Sequence, residues 1–193
     1  MADDWNAWIR ELCDLPREQW RGWLAHHFPK GIPRQWWWSF ADSVESMVMV
    51  ARHRDGDPGA ALHKAVAVLG RARTEGGLTP WRHAYWLARL SATAARQGPA
   101  PDLLPQEVMP GAAAHAIFAS IPVTPVELVE LRKVSERYRN EEDDVDFTAE
   151  EHEALGEWIF TIDALDWLIP YIHDRDLLQH IQEWRTAAHS SRP

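Results

Sequence analysis

Three tryptophans stand in succession, Trp36, Trp37 and Trp38, inside the stretch PRQWWWSFADSVESMVMVARHR. The apolar residues around them recur at helical spacing, so the segment from about Pro33 to Arg54 reads as one long helix. Successive helical residues are about 100° apart, which spreads the three indoles over roughly 200° of its circumference. No single stripe buries all three. Trp37, Ala41, Val44, Val48 and Ala51 form the core line, and Trp36, Phe40 and Met47 widen it on one flank. Trp38 falls on the other side with Asp42, Glu45 and Met49. Either a second helix covers that arc, or Trp38 and Met49 wait for a partner, Asp42 and Glu45 bordering the contact.

The same periodicity runs through the rest of the chain, while sustained alternation of apolar and polar residues is missing. The expectation is an all-α, single-domain multi-helix bundle over 1–193, of about seven to nine helices, with no significant β-sheet. Pro16, Pro80 and the Thr-Pro pairs at 79–80 and 124–125 suit helix starts. Residues 106–119 read as a poorer helix interrupted by Pro110 and Gly111, and 148–169 as one long helix. The run GPAPDLLP, 98–105, is a candidate internal boundary.

Charge divides at that boundary. The first 97 residues hold 13 Lys and Arg against 10 Asp and Glu, and the remainder hold 7 against 19, so the net −9 belongs to the second half. An acidic chain lacks the clustered cations that bind nucleic acid. The two halves are expected to attract each other. A single cysteine, Cys13, excludes an internal disulfide and a multi-thiolate zinc site. The opening MADDWNAWIRE lacks the basic start and apolar run of a signal peptide, and the longest apolar runs, WLIPYI and MVMVA, are too short to span a bilayer. A cytoplasmic protein with no membrane contact is the expectation.

Two further stripes carry charge. Arg82, Arg89 and Arg96 recur every seven residues on the helix that opens at Thr79, with Tyr85 and Trp86 beside them. Guanidinium forks flanked by rings suit a bound anion, and equally suit pairing within the fold. On the helix from 148, Leu155, Trp158, Ile162, Leu165 and Ile169 form the core line, and Phe160 and Trp167 a second apolar line nearly opposite. Asp163 and Asp166 lie between the two, so at least one is expected to pair with Arg82, Arg89 or Arg96.

Catalytic motifs are missing. There is no HExxH, GxSxG, P-loop or GxGxxG. The adjacent His26 and His27 diverge on a helix, and His173-Asp174 with His152 upstream lacks further metal ligands. The acidic run at 140–146 has neither the glycine nor the final glutamate of a calcium loop and reads as a solvated loop. Neither cofactor nor metal is expected.

Twelve tryptophans are more than a core of this size needs, and tryptophan concentrates at interfaces. The leading expectation is a non-enzymatic interaction module, an adaptor, inhibitor or immunity-type partner, acting on another protein of basic character. The alternative is an enzyme or small anionic-ligand binder with its site near Arg82, Arg89, Arg96, Tyr85 and Trp86. A third is a subunit of a larger assembly.

Overall fold

The computed structural model describes residues 5–53, 56–97, 104–140 and 145–190. The chain is 82% helical, with nine α-helices and no strand among the described residues. They are α1 (Trp5–Asp14), α2 (Trp20–His27), α3 (Arg34–His53), α4 (Pro58–Glu75), α5 (Pro80–Gln97), α6 (Pro110–Ser120), α7 (Pro125–Arg139), α8 (Ala149–Asp163) and α9 (Arg175–His189). Among the described residues no single helix is long and apolar enough to cross a membrane.

Local chemistry fixes most of the starts. Thr124 and Thr148 each close a capping box, with Glu127 and Glu151 reaching back to the cap nitrogen. Those hydrogen bonds hold both glutamates below the usual carboxylate pKa range. Asp57 and Asp174 accept two backbone N–H groups each at the heads of α4 and α9. Pro110 does not interrupt a helix as the sequence suggested. A short 3-10 turn, Gln106–Val108, precedes it, and α6 begins at the proline itself, where a missing N–H costs nothing.

The second departure is at the end of α8. The helix stops at Asp163 and tightens into two 3-10 turns, Ala164–Trp167 and Ile169–Tyr171. Pro170 explains the break, since it lacks an N–H and its ring clashes with the carbonyl four residues back. With three residues per turn instead of about 3.6, the 3-10 turn re-aims its side chains, and Trp167 lies against Tyr85, ring centroids 5.3 Å apart.

The central helix is α5, which packs against α4, α6 and α8, while α3 lies against α1 and α4, and α9 against α7 and α8. From Ala84 to Ala88 and again from Leu90 to Ala94 every α5 residue is buried, as expected of a helix covered on nearly all sides. The proposed boundary at 98–105 lies for the most part outside the described residues; helices from both sides of it pack on each other. Trp36 and Trp37 are core, as their stripe predicts. Gly76 makes room for Trp37, because a Cβ there would stand 2.6 Å from its ring. Gly77, with φ +75°, then turns the chain from α4 toward α5.

Candidate functional site

Trp38 meets neither of its two expected fates in full. It is half-buried, and α5 and α8 supply its cover. Its ring centroid lies 5.4 Å from Tyr85, 5.7 Å from Trp86 and 5.7 Å from Phe160. Tyr85 is the hub, stacked on Phe160 at 4.9 Å and edge-on to Trp167. Phe160 and Trp167 remain 47% and 38% exposed. An aromatic ridge therefore reaches the surface where α3, α5 and α8 meet. Burial raises the Tyr85 phenol above its ordinary pKa, with Arg89 pulling the other way, so the hub stays uncharged at neutral pH.

The expected contact set of Trp38, Asp42, Glu45 and Met49 is divided. Asp42 and Glu45 both hold Arg89, at 3.1 Å through Nη1 and 2.6 Å through Nε, and Thr93 donates to Glu45 at 2.8 Å. The same guanidinium lies over Trp86, 4.7 Å from the ring centroid. Met49 is at the exposure boundary but sits three turns from Trp38, roughly 16 Å along the helix, and belongs to a different part of the surface.

Arg82 and Arg89 of the arginine stripe pair within the fold, but with other carboxylates than Asp163 and Asp166. Arg82 grips both oxygens of Glu157, Nε to Oε2 at 3.1 Å and Nη2 to Oε1 at 2.5 Å, and the Trp81 indole donates to Oε2 at 2.8 Å. Asp163 instead meets His189 at 2.6 Å, and Asp166 is held by Arg185 at 2.5 Å. The register of α8 against α5 decides this, presenting Glu157 to the stripe and turning the two aspartates toward α9. Arg82–Glu157 joins the two halves of the chain.

Arg96 has no carboxylate in ion-pair range among the described residues. It donates to its own helix at the Ala92 carbonyl, 3.1 Å away, on the wall of a cleft of about 450 Å³ shared with Asp166, Trp167 and Tyr171. On the other side of the ridge a cavity of about 400 Å³ opens between α5 and α8. Trp38, Trp81, Tyr85 and Phe160 line it together with the Arg82–Glu157 pair, His152, Glu153 and Gly156.

A hydroxyl–imidazole pair lies beside the cavity. Ser135 and His152 share a 2.7 Å hydrogen bond, a pair the sequence gave no reason to single out. Ser135 is buried and does not line the cavity, so its hydroxyl is out of a substrate's reach. Cys13 is buried too, and desolvation pushes its thiol up to about 11, far from a reactive thiolate. No group of three potential metal ligands occurs among the described residues. Residues 141–144 of the acidic run, expected to be a solvated loop, lie outside the described residues.

Phe160 and Trp167 were legible as a second apolar line on their helix, yet nothing in the sequence nominated them for a site. The argument applied to Trp38, large rings off the core stripe beside charges, fits them equally. Comparison with known proteins supplies no further guide: no family model, curated protein or solved structure matches the chain.

Proposed function

We propose that this protein is a non-enzymatic, cytoplasmic protein-interaction module whose partner docks on the aromatic ridge of Trp38, Tyr85, Phe160 and Trp167. One observation carries the reading. Phe160 and Trp167, 47% and 38% exposed, both pack on one buried tyrosine and are bordered by charges already paired inside the fold. Rigid aromatic anchors with a charged rim are the composition of an interaction hot spot. The acidic excess of the second half favours a basic partner, steering its approach more than fixing its affinity. An adaptor, inhibitor or immunity-type role, or a place in a larger assembly, would use the same surface.

The anionic-ligand alternative is weaker, because Arg82 and Arg89 each already hold carboxylates that an anion would have to displace. Affinity capture from the native source, with the native chain and a Phe160→Ala/Trp167→Ala chain as parallel baits, tests the reading. A stoichiometric partner retained by the first bait and lost by the second is the expected result. A partner held equally by both, or none held by either, contradicts it.

A further inference from the structure

The cavity beside the ridge has a chemistry of its own. Four aromatic side chains, Trp38, Trp81, Tyr85 and Phe160, line it. Aromatic faces carry the negative part of the ring quadrupole and attract cations. The formal charges lean the same way: the lining holds one guanidinium, Arg82, and two carboxylates, Glu153 and Glu157. Arg82 is engaged by both oxygens of Glu157. An entering anion would have to break that fork and then face the rings.

Gly156 adds an independent observation. It sits in the interior of α8, where glycine is a poor choice for helix stability. Neither backbone nor crowding calls for it there: its φ is not in the left-handed region, and an added Cβ would meet no atom within 4 Å. A larger side chain at this position would occupy the cavity. The volume, about 400 Å³, is that of a small-molecule site.

We propose that the cavity binds an organic cation, a quaternary ammonium or guanidinium head, held against the four rings on the carboxylate-bearing side of the ridge. The head belongs either to a free small molecule or to a partner's side chain. This inference goes beyond the interaction reading and stands without it, since binding of the head is measured with no partner present.

The test titrates the full chain with choline, its uncharged isostere 3,3-dimethylbutanol, methylguanidinium and inorganic phosphate, following tryptophan indole N–H resonances by NMR. At least one cation is expected to saturate and to bind on the order of tenfold more tightly than the uncharged isostere. Preference for choline identifies a free quaternary ammonium compound, and preference for methylguanidinium an arginine side chain. Gly156→Phe, which fills the cavity from an open position, is expected to abolish the shifts without lowering the melting temperature. Phe160→Leu keeps apolar volume but loses the quadrupole, and is expected to weaken the cation while leaving the isostere unchanged. Equal binding of the isostere, preference for phosphate, cation binding that survives Gly156→Phe, or no saturable shift each overturns the proposal. A failed partner capture with cation binding intact would sink only the interaction reading, and the converse result only this one.

Discussion

The molecule contains two aromatic clusters built by the same rules and covered to different extents. In the first, Trp5, Trp8, Trp23 and Phe28 crowd around Trp36, with centroids 4.9 to 6.4 Å from it. Trp36 is fully buried, and none of the other rings is exposed. In the second, Tyr85 gathers Trp38, Trp86, Phe160 and Trp167, and two of those rings reach solvent. The first stitches α1, α2 and α3 together and ends there. The second is bordered by ion pairs, opens on a cavity and has Arg89 laid over one of its rings. An abundance of tryptophan therefore does not mark a site by itself. Incomplete cover combined with organised charge does.

The sharpest way to break this contrast is to truncate the centre of the first cluster. Trp36→Ala should cost about 3–5 kcal/mol of stability in urea unfolding, the range for deleting a large ring from a closed core. A loss below about 1 kcal/mol would show that the first cluster is not the structural one.

Next in size is the charge beneath the second cluster. Arg82 and Glu157 are only 17% and 11% exposed, so Glu157→Gln leaves a mostly buried guanidinium without its counter-charge and should cost about 3 kcal/mol. Asp14→Asn at the exposed Lys64–Asp14 pair should cost under about 1 kcal/mol, measured in the same way. Equal losses at the two pairs would mean that the fold does not depend on the bridge between its halves.

Phe160→Ala should cost about 1 kcal/mol or less of stability, because half of the ring is already in water. Gly156→Ala should raise stability by about 0.5–1 kcal/mol, an ordinary helix-propensity gain at a position with open space. The smallest effect is a pH dependence at the hub. The folded chain holds the Tyr85 proton more tightly than the unfolded chain does. That stabilisation is complete below the ordinary value of 10.0 and is lost as pH rises through the folded value. Phenolate absorbance should therefore show one tyrosine ionising late, and Tyr85→Phe should remove both the late step and the extra loss of stability above pH 10.

The helices were legible because each is specified locally, by 3.6-residue periodicity, a Thr-Pro start or a capping box. Both departures in helix bounds lie at prolines: Pro110 occupies a first-turn position, where it starts a helix instead of breaking one, and the apolar line of Leu165 and Ile169 carries the helical pattern past Pro170. Burial of Trp36 and Trp37 followed from their stripe. The salt-bridge partners did not, since a stripe gives the angular position of Arg82 and Arg89 on their own helix and nothing about which register a neighbour adopts. Exposure of Phe160 and Trp167 was hidden for the same reason. A second apolar line can be a second core face or a free one, and only the docking of α3 and α8 against α5 decides which.

The claim that the open cluster is the functional surface is tested most directly by the affinity of a captured partner for three versions of the chain. Phe160→Ala should weaken binding by at least about 30-fold, the loss of a hot-spot residue. Val126→Ala, at an exposed valine on α7 away from the ridge, should leave it unchanged. Binding that tolerates Phe160→Ala and collapses with Val126→Ala would contradict the account and move the interaction surface to α7.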